Sequence, residues 1–151
     1  MKTRILLLSI AMLSFTAFSF AADAPNISKN VKSSFNMQFS DAREIQWENK
    51  TEFIKASFIQ NGMALYAYFN RNGELLALTR FISPDHLPLE LLYTLKSQNP
   101  DCWISDLFEI HTESGTSYYA TLENANRVKV VKSEGTNGWQ TYKIIQKAHD
   151  E

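Results

Sequence analysis

The chain has 151 residues, with 15 Lys and Arg against 16 Asp and Glu, so its formal net charge is −1. Its 44% apolar and 21% charged content is that of an ordinary globular domain. These values exclude a disordered tail and a strongly basic nucleic-acid binder, and the length leaves room for one domain rather than a multidomain enzyme.

Met1 to Ala21 reads as a secretory signal: a basic start at Lys2 and Arg4, an apolar run from Ile5 to Phe20, and small residues at Ser19 and Ala21 for the peptidase. Cleavage after Ala21 would leave 130 residues with a net charge of −3, because Lys2 and Arg4 are removed. No later apolar run approaches the roughly 20 residues that span a bilayer. No Cys stands directly after the apolar stretch to carry a lipid. The expected product is therefore periplasmic or secreted. Cys102 is the only cysteine, so an exported chain must hold its fold by packing, with Cys102 as a small buried residue.

Ala22 to Asn26 reads as a flexible leader. Ile27, Val31, Phe35 and Phe39 then recur four apart, which predicts a helix with Asn26 or Ser28 as its N-cap. The period changes to two at Ile45 and Trp47. Strands are predicted there, over 52–59, over 63–69 and over 74–82. Asn61-Gly62 forms a tight hairpin turn between the second and third, and 70–73 forms the next turn. Pro88 suits the first turn of a second helix. Leu89, Leu91, Leu92 and Leu95 supply its apolar side, and Pro100 ends it. Strands resume over 103–111, 116–122, 127–131 and 139–145, and a polar tail covers 147–151.

The expected fold class is α+β: two helix-plus-four-strand repeats, about 27–82 and 87–146, forming an antiparallel sheet with helices packed on one face. Three stretches carry a resemblance. They are the amphipathic helix ending in Phe39 with Ile45-Gln46-Trp47 after it, Tyr66-Ala67-Tyr68-Phe69 leading into Asn70-Arg71-Asn72-Gly73-Glu74-Leu75-Leu76, and Leu87-Pro88 opening the second helix. On these, residues 30–146 resemble the PepSY-like, beta-lactamase-inhibitor-like proteins exported by Bacteroidetes-type bacteria. The resemblance implies a sheet whose open face can grip another protein. It brings no inhibitory motif that can be carried over residue by residue.

The chain lacks the constellations that catalysis needs. His86, His111 and His149 have no partners at ligand spacing, so neither a metal nor another cofactor is expected. There is no nucleophile elbow and no glycine-rich phosphate loop. Strand parity is more informative. Met63, Leu65, Ala67 and Phe69 face one way and Tyr66 and Tyr68 the other, while Tyr119 opposes Tyr118, Ala120 and Leu122. If the apolar parity faces the helices, Tyr66, Tyr68 and Tyr119 lie on the open face, and Tyr suits an interface because it buries a ring and keeps a polar tip. The parities of Lys55, Arg80 and Lys143 fit either face.

The expected function is a non-catalytic module that binds an unidentified protein or peptide partner. The alternatives are a small enzyme or ligand carrier using Asp106, Glu109 and Tyr119 in a cavity, or a homo-oligomeric envelope protein.

Overall fold

Val31 and Phe35 are buried on one side of helix α1 (Lys29–Gln38), and Ile27, just before it, and Phe39, its C-cap, are buried in the same cluster. The Ser28 hydroxyl caps the helix by accepting from the Val31 N–H, which answers the choice between Asn26 and Ser28. The computed structural model describes residues 26–148. The signal peptide, the leader apart from Asn26, and the end of the tail with His149 lie outside the described residues. Among the described residues no helix is long and apolar enough to cross a membrane.

Strands β1 (Arg43–Asn49), β2 (Ile54–Gln60), β3 (Met63–Phe69) and β4 (Leu75–Phe81) follow α1. Asn61 and Gly62 both adopt positive φ, 52° and 76°, as the two-residue hairpin between β2 and β3 requires. A 3-10 turn (Pro84–His86) leads into helix α2 (Leu89–Gln98), with Pro88 at its N-cap. Leu91 and Leu95 are the buried residues of α2, whereas Leu89 is 82% exposed and does not join the apolar side expected of it. Strands β5 (Trp103–Thr112), β6 (Gly115–Glu123), β7 (Arg127–Glu134) and β8 (Gln140–Gln146) follow α2.

The fold expectation needs correction. The chain does not form two helix-plus-four-strand repeats. The described residues form one eight-stranded antiparallel meander, ordered β1 to β8, and the two short helices with the 3-10 turn make up only 19% of them. The deciding contact is between β4 and β5, where Leu78 pairs with His111 and Phe81 with Phe108. This pairing satisfies main-chain groups on both strands and runs the expected antiparallel sheet through without an internal boundary between repeats.

Register assigns the faces, because residues opposite each other across an antiparallel pair point the same way. Ile54, Ala56, Phe58, Leu65, Ala67 and Phe69 meet α1 in one buried cluster. Leu107, Ala120, Leu122 and Val131 form a second with Leu87 and Leu95. Through Ala67↔Leu78 and Leu78↔His111, both clusters lie on the same side of the sheet. Between them sits a polar contact. Glu109, only 7% exposed, accepts from Arg80 Nε, and the His111 ring lies 3.7 Å from the same carboxylate oxygen. A carboxylate at this depth is tolerable because the guanidinium accompanies it. Trp139 pins the last loop to α2 by donating from Nε1 to the Leu91 carbonyl at 2.8 Å.

Candidate binding face

The side of the sheet away from the helices carries a row of rings. In β3, Tyr66 and Tyr68 alternate with the buried Leu65, Ala67 and Phe69, so the pleat turns both tyrosines outward. Tyr119 leaves β6 on the same side, opposite Phe108. The rings of Tyr66 and Phe81 lie 6.2 Å apart, Phe81 and Phe108 6.1 Å, Phe108 and Tyr119 5.1 Å in a parallel stack, and Tyr119 and Tyr142 5.7 Å. The row crosses the sheet from β3 to β8, five strand spacings or about 24 Å. Tyr68 stands outside it and packs edge-on against Phe53 at 5.3 Å.

Sequence parity identified Tyr66, Tyr68 and Tyr119 as open-face residues. Phe53, Phe81, Phe108 and Tyr142 escaped it. Phe81 and Phe108 could be joined only by knowing that β4 pairs with β5. Tyr142 reaches Tyr119 because the β7–β8 register shifts between Val130 and Val131, which alternation alone does not show. Phe81 and Tyr142 are the exposed members, at 60% and 52%.

The cations that parity left unassigned now have places. Lys55 Nζ sits 5.2 Å from the centre of the Tyr66 ring and Lys132 Nζ 5.7 Å from that of Tyr119, both within cation–π reach. Lys143 pairs in register with Val130. Arg80 belongs to the helix side with Glu109. Burial pushes the Tyr119 phenol above its ordinary pKa against the pull of Lys132, so it stays a neutral hydroxyl. Lys132 is held protonated chiefly by its hydrogen bond to Glu134.

At one end of this face the rings border a trough of about 710 Å³, open to solvent. Tyr68, Ala77, Tyr119, Lys132, Asn137 and Tyr142 are among the residues that line it. The trough offers stacking surfaces and hydrogen bonds. It does not assemble the trio of the enzyme alternative, since Tyr119 is on the open face and Glu109 on the helix side with Arg80. Thr116 Oγ1 and His111 Nδ1 are in hydrogen-bond contact at 2.8 Å, but the third group that would orient the ring, Glu109, is 3.7 Å from Nε2 and already bonded to Arg80. Among the described residues no group of three or more His, Cys, Asp or Glu is arranged to hold a metal. Cys102 is half-buried, with its thiol 3.7 Å from an Asp101 oxygen.

The Asp106 carboxyl is pushed upward in pKa, by burial first and by the Glu123 charge second. The folded state therefore holds its proton more tightly than the unfolded chain does. The resulting penalty is absent below the ordinary carboxylate pKa, grows as pH rises through the raised folded value, and is complete above it. Asp106→Asn removes it. The variant is expected to melt higher than the parent at about pH 7, with the difference vanishing near pH 3. A melting series across that range checks the sign; an unchanged or lower melting point at neutral pH would refute it.

No family model matches the sequence, and comparison with curated proteins gives no match. Solved structures do match. A BLIP-like protein from Bacteroides fragilis superposes with a TM-score of 0.72 at 18% identity, over 83% of this chain and 92% of that one. A provisionally periplasmic protein from Bacteroides eggerthii gives 0.70 at 10% identity, over 80% and 89%. A DUF2874 family protein from Bacteroides ovatus gives 0.71 at 15%, over 80% and 88%. At these identities the likeness is one of fold. It supports the BLIP-like half of the resemblance read from the sequence, and nothing in these comparisons speaks for the PepSY-like half.

Proposed function

We propose that this chain is an exported, non-catalytic binding module that holds a protein or peptide partner on the open face of its sheet. The observation that carries the reading is the aromatic row from Tyr66 to Tyr142, left uncovered while both helices occupy the other side. Tyr66, Tyr68 and Tyr119 are the contact residues expected from the sequence, and Phe81, Phe108 and Tyr142 extend them. Rings already packed on one another lose little freedom on binding, which favours aromatic anchors at interface centres. The BLIP-like and provisionally periplasmic neighbours support a binder working outside the cytoplasm.

Changing Tyr66, Tyr68 and Tyr119 together to Ala tests the proposal. Anchors of this kind contribute about 2 kcal/mol or more each, so capture of the partner from envelope extract should fall by at least about a hundredfold. Circular dichroism should still show a folded sheet. Undiminished capture by the folded triple variant would refute the reading. Light scattering separates it from self-association: a stable dimer that the three substitutions dissociate would mean that the face meets a second copy of itself.

A further inference from the structure

We infer that the open face selects an uncharged protein segment, and that carboxylates bonded to its own lysines enforce the choice. This rests on the binding reading above and names the chemistry of the partner. Among the described residues, Lys55 lies over Tyr66, Lys132 over Tyr119, and Lys147 over Trp103 at 5.3 Å. Each of these lysines is held by a carboxylate. Lys55 Nζ donates to Glu48 at 2.7 Å, Lys132 Nζ to Glu134 at 2.7 Å, and Lys147 Nζ to Glu123 at 3.0 Å.

Register keeps these groups on the ring side of the sheet. Lys55 stands between Glu48 and Tyr68, Lys132 opposite Tyr119, Glu134 opposite Ser117, and Glu123 opposite Trp103. Lys143 shares a further row on this side with Val130, Thr121 and Asp106. From β5 to Lys147 the ring side therefore sets Asp106, Glu123 and Glu134 against Lys132, Lys143 and Lys147.

A surface balanced in this way has no net field to draw in an acidic or a basic partner. An acidic group approaching Lys132 meets Glu134 already bonded there, and the like charges repel. The trough repeats the pattern, because its charged lining residues are that same pair, Lys132 and Glu134. Much of its remaining lining is Tyr68, Tyr119 and Tyr142 with Ser114, Ser117 and Asn137. Stiff tyrosines beside Ser, Asn and Gly are the mix by which antibody loops hold other proteins. The occupant that fits is a segment with an aromatic or aliphatic side chain to pack between the rings, hydroxyl or amide side chains beside it, and no net charge.

Random peptides displayed on phage are selected on the mature protein and on Glu134→Gln, and the selected sequences are then measured free in solution by anisotropy. Glu134 is 71% exposed, so its replacement leaves the fold in place. The parent should select peptides of net charge near zero, with affinities that change less than about twofold between about 50 and 500 mM salt. The triple Tyr→Ala variant should bind them at least about tenfold more weakly. Glu134→Gln leaves Lys132 without its carboxylate and should select peptides carrying Asp or Glu, with affinities that fall at least about threefold over the same salt range. Charged peptides selected by the parent and lost in the triple variant would overturn the uncharged partner while leaving the binding face standing. So would selection of the same neutral peptides by Glu134→Gln. Peptides indifferent to the triple variant, or none at all, would remove the binding face and this inference together. A dimer formed through the three tyrosines would make the occupant a second copy and overturn it as well.

Discussion

Phe35→Ala should cost about 3–5 kcal/mol, the range for emptying a large aromatic site in a packed core. Phe35 is 1% exposed and lies where α1 meets the sheet. Its ring is 5.2 Å from Phe39, 5.1 Å from Trp47, 5.0 Å from Phe58 and 6.3 Å from Phe69. Four rings around one site cannot close the void together, because each is held by its own backbone. Domains of this size have total stabilities of about 5–15 kcal/mol, so the variant should keep at most part of its fold margin. A denaturation curve should show a large fall in midpoint, and a loss below about 1 kcal/mol would mean that α1 is not docked as described.

Gly73→Ala should be the second most damaging single change away from the aromatic core. Gly73 has φ of 93°, and an added Cβ would lie 3.0 Å from the Asn30 carbonyl oxygen and 3.2 Å from Ser34 Oγ. The turn between β3 and β4 thus closes onto the first turns of α1 with no room for a methyl group. The left-handed conformation costs a non-glycine residue about 1–2 kcal/mol, and forcing backbone apart adds about 1–3 kcal/mol. Gly115→Ala is the control, since it also has positive φ, 122°, but meets nothing within 4 Å. Gly73→Ala should therefore be clearly the worse of the two; equal losses would remove the close approach as a cause.

The same turn shows what local chemistry makes legible. Asn70 accepts through its side chain from the Asn72 and Glu74 N–H groups, and an Asn-rich stretch ending in Gly signals this without tertiary information. Asn61-Gly62 is equally readable. Four-residue spacing from Ile27 to Phe39 placed α1 and its buried side, and alternation in β3 and β6 put Tyr66, Tyr68 and Tyr119 on one face.

What could not be read lies between elements. Helix, four strands, helix, four strands suggests a repeat, but that order does not say whether β4 and β5 are edges or neighbours. The answer depends on Phe81 meeting Phe108 across a connection that contains a whole helix. The same missing pairing hid the middle of the aromatic row. Register shifts hid the rest: one extra residue in β8 brings Tyr142 to Tyr119. Arg80 was ambiguous because charged residues satisfy either face by parity, and only Glu109 on the neighbouring strand draws it to the helix side.

Site-specific photocrosslinking in the native envelope tests the open face most directly. A benzophenone side chain replaces Phe81, in the middle of the aromatic row, or Tyr93, which is exposed on α2 on the other side of the sheet. Light should yield a discrete heavier adduct from position 81 and none from position 93. Adducts at position 93 alone, or the same adducts from both positions, would contradict a binding module that works through its open sheet face.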